Sequence, residues 1–469
     1  MTGMDRRSFL RGAVVAAGGA AALPSVSMVA GATGTTDGSG PYGPLAGEPD
    51  ANGLLLPEGF GSRIVGIAGE PIAGTEYPWH VFPDGAATFD DGDDGWWYVC
   101  NSEVFVPDGL GGASSVHFDP DGEILSAGRV LSDTTANCAG GPTPWGTWLS
   151  CEERFDETGQ VWECDPTGEG EPQAHPALGR WAHEAVAVDP EREALYLTQD
   201  HPEGLLYRFT PERYPALAAG VLEAAIVASD GAVTWGVVGD PSGTSAPTRT
   251  QVDGATIFPG NEGIWYHDGT IVFTSKHDNR VHAIDLEEQR HTVVWDGTPD
   301  ADIDAGLPKK EPLAGVDNIT VEAGSGDLYV AEDGDNMEVV LIATEGAVVP
   351  FARVAAPGHE TSEITGPVFN PRGDRLYFSS ERGPTPKSLR EIAGLDTDAR
   401  TGGVTWEVTG PFRGAGADGG ASPADTLANA GSGSSDSAAP AIAIGAGVAV
   451  AAAAAGGVLW LRRRRSPAG

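Results

Sequence analysis

The chain has 469 residues, and its 67 acidic and 28 basic residues give a formal net charge of −39. A protein that binds nucleic acid needs a basic face, so this charge argues against that class of function. A dense acidic surface with only four lysines is typical of proteins that stay soluble in high salt, and we expect a halophilic protein.

The N-terminal segment, residues 1–32, is predicted to be an export signal. Arg6 and Arg7 precede an apolar run rich in Ala and Gly, which is the pattern of a twin-arginine signal. An ordinary membrane anchor is the alternative. The twin-arginine pathway exports proteins that are already folded. Residues 33–51 follow as a predicted disordered spacer.

Residues 52–412 have the pattern of one all-β domain, rich in Gly, Pro, Thr, Val and Trp and punctuated by turn dipeptides. Apolar strands that end in polar or acidic residues start near residues 98, 148, 196, 272, 329 and 377. Most steps between them are about 50 residues, the length of one four-stranded propeller blade. The repeat therefore predicts a six-bladed β-propeller, with a sandwich or a seven-bladed propeller as the alternatives.

Polar residues recur at matching ends of these repeats. The first strand of each predicted hairpin opens with a polar or acidic residue, and the second strand closes near an acid. In an antiparallel hairpin these two ends lie side by side. The expected neighbours are Cys138 with Glu152 and Glu153, Glu184 with Asp200, Glu262 with Asp278, and Asp317 with Glu332 and Asp333. If six hairpins surround one axis, their polar ends meet at one point.

The chain contains four cysteines: Cys100, Cys138, Cys151 and Cys164. Their spacing matches no zinc motif. Export permits disulfides, and pairing of Cys151 with Cys100 or with Cys164 stays open. Cys138 differs from the others because it opens a hairpin among the acids.

The C-terminal part of the chain has the pattern of a membrane anchor. Residues 413–440 are rich in Gly, Ser, Ala and Asp, as in a flexible linker. Residues 441–461 carry no charge and are long enough to cross a bilayer as a single transmembrane helix. The arginines of the tail, 462–469, favour its cytoplasmic side. We therefore expect the domain on the extracellular face of the cell membrane; a processed tail signal is the alternative.

Several longer motifs recur in one order along the predicted propeller. They are WHVFPDGAATF (79–89), NCAGGPTPWGTWLSCEE (137–153), GRWAHEAVAVDP (179–190), YLTQD (196–200), NEGIWY (261–266), DNITV (317–321), YVAEDG (329–334) and TGPVFNPRGDRLYFSSERG (365–383). These motifs resemble those of the PhoX family of secreted alkaline phosphatases over residues 75–385. The chain departs from the family pattern at Asn101, where a histidine is usual before the acid Glu103, and at Gln199, where an acid is common.

The resemblance implies a six-bladed propeller that hydrolyses phosphate monoesters with calcium and iron ions on its axis. The cysteine ligand of the family corresponds to Cys138. The carboxylate ligands that it implies are Glu152, Glu153, Glu184, Asp200, Glu262, Asp317, Glu332 and Asp333. Carboxylates suit calcium, and a thiolate among them suits iron, so the residue types agree with such a cluster. The alternative is that each acid caps its own hairpin at the surface.

Two cationic residues, Lys276 and Arg382, directly follow closing strands. We expect them to act in catalysis beside the metal ions, which would lower the pKa of a bound water and neutralise the phosphoryl oxygens. For each of them, a salt bridge to neighbouring carboxylates is the alternative role.

The sequence thus predicts a monomeric extracellular phosphatase that acts on small phosphorylated substrates and does not bind nucleic acid. Two other functions stay open. One is a different metal-dependent propeller hydrolase, lactonase-like or phytase-like, in which Cys138 would be dispensable. The other is a non-catalytic surface propeller whose metal ions only hold the blades together.

Overall fold

The computed structural model describes residues 33–34, 40–298, 312–334 and 336–415. The predicted export signal (1–32), most of the predicted linker (416–440), the membrane span (441–461) and the cytoplasmic tail (462–469) lie outside these ranges. Within the described ranges, no helix is both long enough and apolar enough to span a membrane. The prediction of a disordered spacer at 33–51 is wrong where the structure describes it, because Thr33 and Gly34 pair with Ala347 and Val348 and the ring of Tyr42 packs against Phe60 with centroids 5.1 Å apart.

The described residues form six β-sheets, which we number as blades in chain order. Three strands precede the first complete blade: β1 (Thr33–Gly34), β2 (Leu54–Leu55) and β3 (Gly61–Ile67). Blade 1 contains β4 (Pro83–Asp90), β5 (Trp96–Ser102), β6 (Gly111–Phe118) and β7 (Ile124–Thr134). Blade 2 contains β8 (Asn137–Pro142), β9 (Trp148–Glu152), β10 (Val161–Cys164) and β11 (Gln173–Ala174). Blade 3 contains β12 (His183–Asp189), β13 (Ala194–Gln199), β14 (Leu206–Arg213), β15 (Ala216–Val227) and β16 (Val233–Val237).

The second half of the ring repeats this plan. Blade 4 contains β17 (Asn261–His267), β18 (Thr270–Ser275), β19 (Arg280–Asp285) and β20 (Arg290–Asp296). Blade 5 contains β21 (Val316–Val321), β22 (Leu328–Glu332), β23 (Glu338–Ile342) and β24 (Ala347–Val354), with β1 and β2 paired to β24. Blade 6 contains β25 (Ile364–Phe369), β26 (Arg375–Ser380) and β27 (Val404–Thr409). The helical segments are short: α1 (Leu389–Ala393) and two 3₁₀ turns, Pro176–Leu178 and Thr248–Thr250.

The ring closes through a strand from the start of the domain. β3 pairs with β27 as the outer strand of blade 6, with Gly61 opposite Thr409 and Ile67 opposite Val404. The first strands of the six blades, β4, β8, β12, β17, β21 and β25, contact one another in order around the hub. The predicted all-β, six-bladed propeller is confirmed, and the sandwich and the seven-bladed ring are excluded.

The hydrophobic core lies between neighbouring blades, so strands in the middle of a blade are covered on both faces. β22 (LYVAE) and β23 (EVVLI) are buried along their whole length, which explains their nearly continuous apolar sequence. Between blades 2 and 3, the indole of Trp181 stacks on Tyr207 with ring centroids 4.2 Å apart. This packing holds blade 3 against blade 2.

Trp406 of β27 is 1% exposed, stacks on Phe378, and donates a hydrogen bond from Nε1 to the carbonyl oxygen of Asn52 at 3.1 Å. It therefore links the closing blade to the start of the domain. We expect Trp406→Ala to lower the free energy of unfolding by about 3–5 kcal/mol, because it leaves a large cavity. Urea unfolding followed by circular dichroism measures this loss.

Trp97 in blade 1 provides the matched control, because it is only partly buried and stacks on His117. Trp97→Ala should cost about 1 kcal/mol, the typical effect of a single substitution. Equal losses for the two variants would contradict the role of Trp406 in closing the ring.

Candidate metal centre

Each inner hairpin contains a β-bulge at the same place, close to the hub. In blade 3, His183 pairs with Gln199, and the register then shifts by one residue before Val186 pairs with Leu197. The first hairpins of the other five blades show the same one-residue shift at the corresponding position. A bulge bends its strand and turns a side chain in a new direction. Its repetition gives the six blades a common device at the hub.

The residues at the bulges supply most of the polar groups around the axis. In blades 1 to 5 the residue that follows the first hub pair is, in order, Asp84, Cys138, Glu184, Glu262 and Asp317. Blade 6 has Gly366 at this position with a φ of 57°. A Cβ on Gly366 would lie 2.4 Å from the carbonyl oxygen of Asp84, so glycine permits blades 6 and 1 to meet closely.

These residues belong to a continuous arc of metal-ligand types, which we call the hub arc. It consists of four overlapping groups, in each of which one ligand atom per residue lies within 4.8 Å of the others. The groups are Asp84, Glu103 and Cys138; Cys138, Glu153 and Glu184; Glu184, Glu262 and Asp317; and Asp317, Asp333 and Glu363. Because neighbouring groups share Cys138, Glu184 or Asp317, the arc runs past all six blades.

The thiol of Cys138 lies inside this arc. Its Sγ donates a hydrogen bond to Oε2 of Glu184 at 3.0 Å, and Nδ2 of Asn318 donates to the other carboxylate oxygen at 3.3 Å. Burial, together with the nearby charges of Asp84 and Glu184, raises the pKa of Cys138 well above its usual value. The thiol therefore requires a nearby positive charge to ionise.

The carboxyl groups of the arc repel one another. Burial and the charges of Glu262 and Asp317 raise the pKa of Glu184 well above the ordinary range. Burial also raises the pKa of Asp317 to about 7, although Lys276 opposes this shift. Such groups cannot all be ionised together unless cations lie among them.

The donor set fits multivalent cations. Oδ1 of Asp84 is buried and has no hydrogen-bond partner among the described residues. An unsatisfied buried carboxylate oxygen is costly, and a coordinated cation would remove that cost. The acids offer hard oxygen ligands, and Cys138 adds one soft ligand.

Lys276 and Arg382 contact the arc directly. Nζ of Lys276 lies 2.7 Å from Asp317, 3.2 Å from Asp333 and 3.5 Å from Glu262. Arg382 forms ion pairs with Glu363 and, at 2.6 Å, with Glu381, and its Nη2 lies 3.7 Å from Glu103. Each cation thus forms the salt bridges expected in its alternative role and also lies beside the candidate ligands.

The structure brings six of the nine predicted ligands into the arc: Cys138, Glu153, Glu184, Glu262, Asp317 and Asp333. The remaining three, Glu152, Asp200 and Glu332, lie outside its four groups. Glu152 accepts hydrogen bonds from the backbone amides of Thr135 and Gln160, at 3.0 and 3.2 Å. Successive side chains along a strand point to opposite faces, so the side chain of Glu152, at the end of β9, points away from that of Glu153.

The other two lie close to the hub. Oε1 of Glu332 accepts a hydrogen bond of 2.5 Å from the amide of Ala314. Asp200 influences the arc through its negative charge. Burial raises the pKa of Glu262, Lys276 lowers it, and the charge of Asp200 raises it further.

The ligands predicted from the sequence do not include three members of the arc: Asp84, Glu103 and Glu363. The hairpin rule could have found two of them, because Asp84 lies at the start of the inner strand of blade 1 and Glu103 follows β5. Glu363 precedes β25 directly and carries no comparable signal.

Asn101, where the chain departs from the family pattern, binds the backbone next to the Cys138 side chain. Its Nδ2 donates to the carbonyl oxygens of Cys138 and Ala139, at 3.1 and 2.8 Å. Its Oδ1 accepts from Nε1 of Trp148 at 2.9 Å. The buried amide thus holds the bulge that presents Cys138. All four cysteines are free thiols, so Cys151 forms neither of the two disulfides considered from the sequence.

Comparison with known proteins identifies the family. The family described as "Alkaline phosphatase PhoX" matches residues 122–163 and 156–381, more than half of the chain. The chain belongs to the PhoX alkaline phosphatase family. The resemblance inferred from the motifs is thereby confirmed. No curated protein matches the sequence significantly.

A solved structure shows the same fold. The structure of Pseudomonas fluorescens PhoX in complex with vanadate, a transition-state analogue, matches with a TM-score of 0.61 and 16% identity, covering 82% of this chain and 99% of that one. Regucalcin from Agrobacterium tumefaciens (16% identity, 75% and 96% covered) and a gluconolactonase from Xanthomonas campestris (13%, 80% and 99%) have TM-scores of 0.36 and 0.37. TM-scores this low do not support any conclusion about this PhoX protein.

The adjacent residues Glu152 and Glu153 provide a test of the arc. We expect Glu153→Gln to weaken metal binding about 100-fold, because it removes a charged ligand; even supporting residues of metal sites often cost 10- to 100-fold. Glu152→Gln should leave the metal content unchanged, since Glu152 accepts backbone hydrogen bonds. Elemental analysis after dialysis against graded chelator measures both. Equal metal loss in the two variants would contradict the assignment.

Proposed function

We propose that this PhoX protein is a metal-dependent phosphatase that hydrolyses phosphate monoesters at the hub of the propeller. The observation that carries the proposal is the hub arc, in which eight carboxyl groups and one thiol meet in a largely buried setting. Membership of the alkaline phosphatase family supports the same reaction. The vanadate complex of the Pseudomonas fluorescens protein supports a phosphoryl site on this fold.

We further propose calcium and iron as the bound ions. The carboxylates of Glu153, Glu184, Glu262 and Asp317 are hard oxygen ligands of the type that calcium prefers. Cys138 favours a softer ion such as iron within the same arc. When bound, such ions supply Lewis acidity that polarises phosphoryl oxygens and makes water a better nucleophile.

The side chains of the protein contribute charge and position. Lys276 and Arg382 contact different sections of the arc, so their positive charges border the proposed phosphate site from blades 4 and 6. There they can bind phosphoryl oxygens and stabilise the negative charge that these carry in the transition state. Their carboxylate partners hold both cations in place before a substrate arrives.

We also propose that the enzyme acts outside the cell. A twin-arginine signal that contains Arg6 and Arg7 directs its export, and residues 441–461 anchor it in the cell membrane. The supporting observations are the sequence patterns of the two termini. The acidic composition supports activity in high salt.

The reaction itself is tested with p-nitrophenyl phosphate in high salt. We expect metal-loaded protein to release p-nitrophenol, to lose this activity after chelation, and to regain it when calcium and iron are restored. Circular dichroism of the chelated protein separates loss of the ions from loss of the fold. Metal-loaded protein without chelator-sensitive turnover would contradict the proposal.

The role of Lys276 is tested by Lys276→Met, which keeps most of the side-chain volume and removes the charge. We expect kcat/KM to fall about 100-fold, the usual cost of losing one group that stabilises transition-state charge. Lys387→Met is the matched control, because Lys387 pairs with Glu70 and binds the carbonyl oxygen of Gly69. A similar fall in both variants, or an unchanged Lys276→Met enzyme with normal metal content, would contradict this role.

A further inference from the structure

Two neighbouring loops at the hub carry apolar side chains on their outer surface. The first, residues 103–110, connects β5 to β6, and the second, residues 153–160, connects β9 to β10. Each loop begins with a member of the hub arc, Glu103 or Glu153. Both loops therefore lie at the end of the propeller where the arc is located.

These two loops carry several exposed apolar residues, which we call the patch. Phe155 is 61% exposed, Val106 is 77% exposed and Leu110 is 39% exposed. These are three of the eight large apolar side chains that are exposed in the described part of the chain. The ring of Phe155 stacks on Phe105 with centroids 5.8 Å apart and planes only 4° from parallel. Clustered exposed apolar groups mark binding surfaces more often than isolated ones do.

The loops are also tied together by charge. Nη1 of Arg154 lies 3.4 Å from the carboxylate of Asp108, and its Nη2 lies 2.9 Å from Asp156. The ion pair between Arg154 and Asp108 connects the two loops that carry Phe105 and Phe155, and the one between Arg154 and Asp156 holds Arg154 within its own loop. The aromatic pair is thus supported by contacts on both loops.

The patch lies close to the candidate reaction site. Phe105 and Phe155 each follow an arc member by two residues, and two residues span at most about 7 Å of backbone. Lys276 and Arg382 follow the closing strands of blades 4 and 6 at the same end of the propeller. The aromatic pair and the two cations therefore occupy different sectors of the hub entrance.

We propose that the Phe105–Phe155 pair binds the organic group of the phosphate ester and favours flat, apolar groups. This proposal rests on the proposed phosphatase function. With the phosphoryl group held in the arc, the organic group of an ester must leave the hub through one sector. Aromatic rings pack favourably against other flat apolar groups, whereas Lys276 and Arg382 favour negatively charged oxygens.

A matched pair of substrates tests the proposal: 2-phenylethyl phosphate and ethyl phosphate. Both release a primary alcohol, so their intrinsic reactivity is similar and only the aromatic ring differs. We expect the metal-loaded enzyme to show a kcat/KM ratio of about fivefold to tenfold in favour of the phenylethyl ester, which lies within the range of one aromatic contact. Phe155→Ala should reduce this ratio to about one, and Phe155→Tyr should preserve it.

Leu125→Ala is the control, because Leu125 is 56% exposed on β7, an outer strand of blade 1, and should leave the ratio and the turnover of both esters unchanged. A wild-type ratio near one, or a ratio that is unchanged in Phe155→Ala, would overturn this proposal. If ethyl phosphate is still cleaved in that case, the phosphatase function is upheld. Metal-loaded enzyme that cleaves neither ester would overturn the phosphatase function and this proposal with it.

Discussion

The repulsion among acids at the hub is the constraint on which the rest of the structure depends. Eight carboxyl groups and a thiol form one arc in a largely buried setting, and Lys276 and Arg382 supply two positive charges in direct contact with it. Most of the negative charge must therefore be offset by bound cations or by protonation. Protonated acids would be poor ligands and would leave buried oxygens such as Oδ1 of Asp84 unsatisfied. Multivalent cations satisfy both requirements, which is why we interpret this hub as a metal centre.

The propeller explains how one chain can gather these groups. Six inner strands surround the axis, and each of them has the same one-residue bulge near its hub end. A regular strand would alternate its side chains between the two faces of the blade, where the hydrophobic core lies. The bulge releases one residue per blade from this alternation and directs it toward the hub. Ring closure by β3 and β27 then fixes the distances between blades. The fold thus supplies the convergence, and the sequence decides which ligand type each blade provides.

Much of this arrangement could be predicted from the sequence because the repeat is regular. The period of the strands gave the number of blades, and antiparallel pairing placed Cys138, Glu184 and Asp317 at one end of their hairpins. The limits of prediction are equally physical. Alternation along a strand separates Glu152 from Glu153, but the sequence does not indicate where β9 ends. In blade 4 the residue after the closing strand is Lys276, while Asp278 binds Ser275 and Arg280 instead. Glu363 reaches the arc from a loop, and the bulges themselves have no sequence signature.

The most direct test of this account is a crystal structure of protein purified without chelators, with anomalous diffraction measured at the iron edge and elemental analysis of the same crystals. The account predicts iron bonded to Sγ of Cys138 and calcium among the carboxylates of Glu153, Glu184, Glu262 and Asp317. An ordered hub that contains no multivalent cation, with Cys138 and its neighbouring acids bonded only to protein and water, would contradict it.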